Sequence, residues 1–191
     1  IKYLTVYAFS TENWNRPEKE VSALMTLLQN YLKTSIKKSM KNNVRCRVIG
    51  EKSRLSADIQ KAIKDLEETT AGNTGLTFTI AINYGSRDEI TRAVRKVAEK
   101  CVAGQLLPDA ITEASIEQEL DTAFLPDPDL LIRTCGEQRI SNFLLWQCAY
   151  TEFYYTDIAW PDFNKAELEK AIAAYGRRDR KYGGLEQDDK E

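Results

Sequence analysis

Residues 3–28, YLTVYAFSTENWNRPEKEVSALMTLL, combine an apolar run, a polar turn and an amphipathic segment. The run at 3–9 is nearly continuous, which is typical of a parallel strand that is buried on both faces. Hydroxyl, amide, indole and guanidinium side chains follow it. Pro17, with the acidic Glu18 and Glu20 in the first turn, then predicts the start of a helix. This stretch therefore predicts one strand–helix unit of an α/β fold, with polar groups where the strand ends.

The same alternation continues along the chain. Further apolar runs predict strands, and 3.6-residue periodicity with capping residues such as Ser86 and Glu89, read as a capping box, predicts helices. The pattern predicts a single α/β domain of the layer type over residues 1–185, with a mainly parallel central sheet flanked by helices, and a disordered tail at 186–191. The predicted strands are 3–9, 44–49, 76–82, 129–132 and 153–158, and the predicted helices are 17–41, 56–71, 86–101, a short one near 115–118, 141–150 and 164–176.

Composition excludes several classes of function. The 191 residues carry 27 basic and 29 acidic side chains, a formal charge of −2, which disfavours a nucleic-acid partner. The absence of histidine excludes a Ser-His-Asp triad, a histidine-activated cysteine and a histidine-rich zinc site within this chain. Four cysteines without a C-x-x-C pair fit a reduced, cytoplasmic setting, and no apolar run approaches the length of a membrane span.

Polar side chains collect after three of the predicted strands. Because ligands of open parallel sheets bind beyond the carboxyl ends of the strands, we expect these groups to open on one edge of the sheet. In particular, we expect the loop after the first strand to face the loop after the fourth. The three sets are Ser10, Thr11, Glu12, Asn13, Trp14 and Arg16; Asn83, Tyr84, Gly85, Ser86 and Arg87; and Arg133, Thr134, Gly136, Glu137, Gln138, Arg139, Ser141 and Asn142.

The stretch IRTCGEQRISNF at 132–143 favours anion binding. Its two arginines flank a glycine, and guanidinium groups match phosphate oxygens bidentately. A glycine turn followed by a helix start at Ser141 would also present backbone N–H groups. With Arg16 added, three phosphate ligands indicate a diphosphate. The alternative is that these are surface arginines in salt bridges, and Glu152, in the aromatic run YTEFYY, is likewise either a solvated carboxylate or a paired one.

Five motifs together resemble a known family. FSTENWNRP, NYGSRDEI, PDPDLLIRTCGEQRISNFLLWQ, YTEFYYTDIAWPDF and YGRRDRKYGG occur in this order and span essentially the whole chain. In this order they closely resemble the cis-prenyltransferases, and within them the bacterial undecaprenyl diphosphate synthases. No dinucleotide-binding or P-loop fingerprint is present to support a different phosphate-binding fold.

The resemblance implies an enzyme that adds isopentenyl diphosphate units to an allylic starter such as farnesyl diphosphate, each new double bond being cis. It implies Mg²⁺ as cofactor, a homodimer, and a cytoplasmic location with peripheral contact to the membrane that takes up the lipid product. Carried over residue by residue, it implies Ser10, Asn13 and Trp14 as catalytic residues, Arg16, Arg133, Arg139 and Ser141 as substrate-binding residues, and Glu152 as the Mg²⁺ ligand.

The sequence departs from the family pattern at three places. The D-G-N-x-R-W segment, which carries an Mg²⁺-binding Asp in the family, is expected upstream of Ile1, so these 191 residues alone are expected to be nearly inactive. Cys135 replaces the usual serine of R-T-S-G-E, a change that we expect to be tolerated. Lys181-Tyr182-Gly183 stands where the family often has Arg-x-Gly. Two alternatives stay open: a non-catalytic partner subunit of a prenyltransferase, and an unrelated α/β phosphate-binding enzyme.

Overall fold

A computed structural model describes residues 1–178, which form two compact units. The first unit comprises residues 1–126, and the second begins at Asp127. The predicted tail at 186–191 and the Lys181-Tyr182-Gly183 triplet lie outside the described residues. The interpretation of residues 1–185 as a single domain stays a prediction.

The first unit contains a parallel three-stranded sheet in the order β1-β3-β2. Val6 and Val48 both lie opposite Ile80 of the central strand, and every pairing is parallel, as predicted. Only Phe9 of β1 is buried, so the prediction of a first strand buried on both faces is wrong, because β1 lies at the edge of this sheet. The elements of this unit are β1 (Tyr3–Ser10), α1 (Glu18–Lys41), β2 (Arg45–Ile49), α2 (Ala57–Thr70), β3 (Thr77–Tyr84), α3 (Ser86–Val102) and α4 (Glu113–Glu117).

The core of the first unit lies between one face of the sheet and the helices α1 and α2. Leu32 of α1 and Leu66 of α2 are fully buried in it, together with Ile80 and Ile82 of the central strand. Full burial of each such side chain contributes roughly 1.5–3 kcal/mol relative to exposure. This packing holds the strands in register, and it therefore fixes where their carboxyl ends lie.

Side chains cap the starts of α2 and α5, whereas the capping predicted for α3 and α4 is wrong. The short helix predicted near 115–118 begins earlier, at Glu113, because the Thr112 hydroxyl accepts the N–H of Ser115 and makes Thr112 the N-cap. The Ser56 hydroxyl accepts the N–H of Ile59 at the start of α2, and Asn164 caps the last helix. The predicted Ser86–Glu89 capping box is wrong, because Gly85 occupies the N-cap position and Ser86 is already helical. Glu89 is instead buried, and its carboxylate accepts the hydroxyl of Tyr84 at 2.5 Å.

The second unit contains two parallel strands and a helix: β4 (Leu130–Arg133), β5 (Glu152–Tyr155) and α5 (Lys165–Tyr175). The predicted helix at 141–150 is wrong, and turns occupy this segment. Ser141, Asn142 and Leu144 have φ values of 51°, 59° and 48°, which a right-handed helix cannot accommodate. Among the residues described, no helix has both the length and the apolar character needed to cross a membrane.

Candidate active site

The loop after β1 holds its shape through its own polar side chains. β1 ends at Ser10, and a short 3₁₀ turn covers Thr11–Asn15. The side-chain oxygen of Asn13 accepts the backbone N–H of Ser10 at 2.8 Å. One oxygen of Asn13 therefore organises the turn, while the amide group of an asparagine also carries two donors. The sequence indicated polar chemistry here, and the structure shows that part of it serves the loop itself.

Trp14 is the most strongly anchored side chain of this loop. Its indole N–H donates to the side-chain oxygen of Asn83, with 2.6 Å between the two heavy atoms. The Phe9 ring meets the indole edge-to-face at a centroid distance of 5.1 Å, and the Arg54 guanidinium lies 5.5 Å from the ring centroid. Edge-to-face contacts between aromatic rings and cation–π contacts are both attractive, so both stabilise the position of the indole. Sequence reasoning placed Asn83 at a strand end but assigned it no role, and it did not consider Arg54.

Asn83 is itself fixed by the carboxyl end of β2. Its amide nitrogen donates to the backbone oxygen of Glu51 at 2.7 Å, and its backbone oxygen accepts the N–H of Glu51 at 3.1 Å. The hydrogen bond from the Ser53 N–H to the Glu51 carboxylate lowers the pKa of Glu51, and the nearby Arg92 acts in the same direction. The ends of β2 and β3 thus form one hydrogen-bonded support beneath Trp14.

A buried ion pair continues this support. Arg92 of α3 donates two hydrogen bonds to the carboxylate of Asp121, at 2.8 Å and 2.7 Å. Asp121 also accepts the N–H of Gly50 at 2.9 Å. Burial raises the pKa of Asp121, but the bonds from Arg92 and Gly50 outweigh it, so the pKa lies below its usual value. The pKa of Arg92 is raised, chiefly by its bonds to Asp121.

Arg16 lies just before α1 and forms a salt bridge with Glu20 in the first turn of that helix. Both side chains are about half exposed, at 52% and 45%. Exposed pairs of this kind contribute only about 0–1 kcal/mol, so an incoming anion can displace Glu20 at little cost. The salt-bridge alternative that the sequence left open is thus what the structure contains, and it is compatible with ligand binding.

In the second unit, two backbone N–H groups of the turn after β4 are already paired. Cys135 and Gly136 have φ values of 63° and 67°. The N–H of Cys135 donates to the oxygen of Ile158 at 2.9 Å, and that of Gly136 to the oxygen of Thr156 at 3.0 Å. No helix begins at Ser141, so the expected helix N-terminus of the anion site is wrong. The anion site itself stays a prediction.

The arginines of this segment are placed on either side of that turn. Arg133 ends β4, and Arg139 forms a salt bridge with Glu137 in the following loop. The Arg139–Glu137 pair is solvent-exposed, so it too can exchange Glu137 for an anion. Ser141 follows in a turn with positive φ and is half-buried.

Glu152 begins β5 and pairs with Arg178, beyond the end of α5. Sequence reasoning missed Arg178, although its basic segment was noted. In the β4–β5 register Glu152 lies opposite Leu130, whereas Arg133 lies opposite Tyr155. Three residue steps, about 10 Å, separate these positions, and alternation along a strand puts Glu152 and Arg133 on opposite faces of the two-stranded sheet.

No group of three or more acidic, cysteine or histidine side chains that could hold a metal ion occurs within residues 1–178. Mg²⁺ is commonly held by one or two carboxylates together with substrate phosphates and water. Glu152 fits this requirement as a single carboxylate whose present partner, Arg178, is a displaceable cation.

The structure thus brings Ser10, Asn13, Trp14 and Arg16 together in and beside one loop of the first unit. In the second unit, Arg133, Arg139 and Ser141 lie at the end of β4 and in the segment after it, whereas Glu152 lies at the start of β5 on the opposite face from Arg133. The prediction that the two loops face each other stays a prediction.

Comparisons with known proteins point to one family. A family model described as "Putative undecaprenyl diphosphate synthase" matches residues 1–183. An isoprenyl transferase of Rhizobium meliloti is 52% identical over 187 residues, covering 98% of this chain and 76% of that protein. A ditrans,polycis-undecaprenyl-diphosphate synthase of Escherichia coli, named as specific for (2E,6E)-farnesyl diphosphate, is 51% identical over 189 residues, covering 99% of this chain and 75% of that protein.

A solved structure agrees with these relatives. The crystal structure of lavandulyl diphosphate synthase from Lavandula x intermedia, in complex with dimethylallyl diphosphate, matches with a TM-score of 0.93 and 44% identity. The match covers 96% of this chain and 79% of that one.

Proposed function

The chain belongs to the undecaprenyl diphosphate synthase family of cis-prenyltransferases, and we propose that it elongates an allylic diphosphate such as farnesyl diphosphate with successive isopentenyl diphosphate units. Each condensation joins the allylic carbon to the terminal alkene carbon of isopentenyl diphosphate while the allylic C–O bond breaks and diphosphate leaves. Loss of a proton from the isopentenyl unit then forms the new cis double bond. The observation that carries the proposal is the match to an isoprenyl transferase that is 52% identical and covers 98% of this chain.

In this proposal the second unit binds the isopentenyl diphosphate through side chains. Arg133 and Arg139 supply two guanidinium groups for a diphosphate, and Ser141 adds a hydroxyl donor. The exposed bond between Arg139 and Glu137 supports this role, because a diphosphate with several negative charges competes well against one solvated carboxylate. The N–H groups of Cys135 and Gly136 are already paired with carbonyl oxygens, so these two add no donors to the diphosphate.

The loop after β1 acts on the allylic substrate. Arg16 exchanges Glu20 for the allylic diphosphate, and Ser10 and Asn13 donate to its oxygens. The face of Trp14 stabilises positive charge that develops at the allylic carbon when the diphosphate leaves, by the same attraction that holds Arg54 over the ring. The loop also holds the reacting carbon in place, and positioning of this kind lowers the barrier of a two-substrate reaction.

Glu152 is proposed as the residue of this chain that binds Mg²⁺. A bound Mg²⁺ would neutralise diphosphate charge. To accept the ion, Glu152 exchanges its salt bridge with Arg178 for metal coordination, and Arg178 is then available as a cation near the site. Glu152→Gln should weaken Mg²⁺ binding, measured directly by isothermal titration of the protein with MgCl₂.

The experiment that tests the proposed function uses radiolabelled isopentenyl diphosphate, farnesyl diphosphate and Mg²⁺. It compares the 191-residue chain with the same chain preceded by a D-G-N-x-R-W segment, and we expect the extended form to be the more active. Products are separated by chain length. Formation of long polyprenyl products supports the proposal, and their absence from both forms contradicts it.

Arg133→Ala provides the residue-level test in the active form. It should raise the KM for isopentenyl diphosphate, because an interaction with the bound substrate is lost. The matched control is Arg95→Ala, which removes an exposed arginine of α3. An unchanged KM in Arg133→Ala, or an equal effect of Arg95→Ala, would remove Arg133 from this role.

One of the two alternatives, an unrelated α/β phosphate-binding enzyme, is wrong, because the chain belongs to the prenyltransferase family. The other has a distinct outcome in the same assay: a non-catalytic partner subunit would elongate nothing alone but would stimulate a catalytic prenyltransferase.

We further propose that the protein is a cytoplasmic homodimer that contacts the membrane surface peripherally, where a long polyprenyl product would partition. Sedimentation equilibrium tests the dimer, and co-sedimentation with lipid vesicles tests the membrane contact.

A further inference from the structure

Asn83 occupies an unusual position at the carboxyl end of β3. It is completely buried, and its φ of 48° lies in the left-handed region. Asparagine tolerates this region better than most residues. Its amide group is used at both ends: the oxygen accepts the Trp14 indole N–H at 2.6 Å, and the nitrogen donates to the Glu51 oxygen at 2.7 Å.

The backbone around Asn83 leaves it little freedom. Gly50 approaches so closely that a Cβ there would lie 2.1 Å from the oxygen of Ile82 and 3.0 Å from that of Asn83. The N–H of Glu51 also binds the Asn83 oxygen. Asn83 is therefore held by β2 on its backbone and on its side chain, and its amide oxygen presents a fixed acceptor to Trp14.

The other contacts of Trp14 fix its location less strictly. The edge-to-face contact with Phe9 and the guanidinium of Arg54 attract the ring but tolerate sliding and rotation within its plane. A short hydrogen bond from the indole N–H to a buried, immobile oxygen defines the direction of that N–H. The bond thereby fixes the rotation of the ring within its plane, while the Phe9 and Arg54 contacts limit the tilt of its face.

We propose that Asn83 is a positioning residue for the reaction, acting through Trp14. Its amide oxygen orients the indole ring so that the ring face meets the allylic carbon as diphosphate departs. This inference rests on the proposed function, in which Trp14 touches the allylic substrate. Asn83 itself is buried at the N–H edge of the ring and contacts no substrate in this scheme.

The first arm of the test observes the hydrogen bond without using activity. The chain contains three tryptophans, Trp14, Trp146 and Trp160, so a ¹H–¹⁵N spectrum should contain three indole N–H signals. Trp14→Phe assigns the Trp14 signal by deleting it. Asn83→Gly, which suits a positive φ but removes the amide, should shift this signal upfield and speed its exchange with water, leaving the other two unchanged.

Two further variants complete this arm. Asn83→Asp keeps an oxygen acceptor for the indole N–H and tolerates the left-handed backbone, but an ionised carboxylate loses the donor to the Glu51 oxygen. It should therefore preserve more of the Trp14 signal than Asn83→Gly does, and it provides a second variant if the glycine variant does not fold. Asn43→Gly is the matched control, because Asn43 also has a positive φ, of 54°, but lies before β2, near the amino ends of the strands. It should leave all three indole signals in place.

The second arm measures turnover of isopentenyl and farnesyl diphosphates by the form that is active in the elongation assay. Loss of alignment at a reacting centre can reduce the rate on the order of 100-fold, so Asn83→Gly should lower kcat by about 10- to 100-fold. kcat/KM should fall by the same factor with KM unchanged, because the interaction acts in the transition state. Asn83→Asp, which keeps the acceptor for Trp14, should retain more of kcat than Asn83→Gly does, and Asn43→Gly should retain all of it.

A double-variant cycle separates positioning from a general structural effect. If Asn83 acts through the indole N–H, Asn83→Gly should reduce kcat far less in a Trp14→Phe background than in the wild type. Undiminished loss in that background overturns the inference, as does an active wild type whose kcat is unaffected by Asn83→Gly, or an indole signal that does not move. Absence of polyprenyl product from both the 191-residue chain and its extended form, without any substitution, instead overturns the proposed function, whatever the indole spectrum shows.

Discussion

Replacing Asp121 by alanine should destabilise the first unit strongly. The change removes two hydrogen bonds from Arg92, at 2.8 Å and 2.7 Å, and one from the N–H of Gly50 at 2.9 Å. The Arg92 and Asp121 side chains are only 17% and 15% exposed, so the guanidinium would stay largely buried without its main partner. Breaking a buried pair from one side costs about 3–5 kcal/mol. Because Arg92 keeps Asp88 at 2.9 Å, we expect the lower end, about 3 kcal/mol.

Equilibrium unfolding in urea measures this loss. Asp121→Ala should lower the denaturation midpoint with an unchanged dependence on urea concentration, which identifies a change in stability rather than in compactness. The matched control is Glu68→Ala on α2. Its partner Lys64 lies 3.8 Å away, and the two side chains are 66% and 71% exposed. Exposed pairs contribute little, so this control should change the free energy of unfolding by less than about 0.5 kcal/mol.

Two results would refute the reasoning. One is a loss below about 1 kcal/mol in Asp121→Ala, the level of an exposed pair. The other is a double variant, Asp121→Ala with Arg92→Met, whose loss of free energy of unfolding equals the sum of the losses in the two single variants. The double variant contains no buried unpaired guanidinium, so it should be less destabilised than the sum of the two single variants.

Three further predictions concern the same unit and the same urea assay. The pKa of folded Asp121 is lowered, so the stability that it provides is present above about pH 4 and is lost as the pH falls through the folded pKa. Asp121→Asn should therefore make the free energy of unfolding fall less steeply with decreasing pH. An unchanged slope would contradict the role given to the Asp121 carboxylate. Gly50→Ala places a Cβ 2.1 Å from the Ile82 oxygen at a φ of 114°, so it should lower the free energy of unfolding more than Gly104→Ala does. Gly104 has a φ of 69° but open space around it, so its variant bears only backbone strain of about 1–3 kcal/mol. Equal losses of stability would mean that the backbone around Gly50 relaxes to admit the Cβ. Leu66→Ala, at a fully buried position, should cost about 2–5 kcal/mol, and a loss below about 1 kcal/mol would show that the core collapses around the cavity.

Local patterns accounted for most of the secondary structure. The strands predicted at 44–49 and 76–82 are observed as Arg45–Ile49 and Thr77–Tyr84, because their apolar runs meet turn residues at both ends. The helix predicted at 141–150 is not observed, because several residues of this segment have backbone angles that no right-handed helix adopts. Ser141 and its neighbours adopt positive φ values that the local capping pattern does not reveal.

The candidate site divides in the same way. The sequence singled out Trp14 and the arginines because their types and spacing resemble a family, and the family assignment is confirmed. It could not identify the partner of Trp14, since Asn83 lies 69 positions away and meets the indole only because β1 and β3 are neighbours. It likewise missed Arg178 as the partner of Glu152.

By itself, then, the sequence determined the alternation of strands and helices, the parallel sheet, the family and the candidate chemistry, because these follow from periodicity, residue type and motif order. The tertiary structure alone decided which polar groups are already satisfied. It committed the backbone N–H groups of Cys135 and Gly136 to carbonyl oxygens of the second unit. It also buried Asn83 and paired its side-chain oxygen with the indole N–H of Trp14. Hydrogen-bond partners depend on strand order and register, which bring together residues distant in the chain, and a linear pattern does not contain that information.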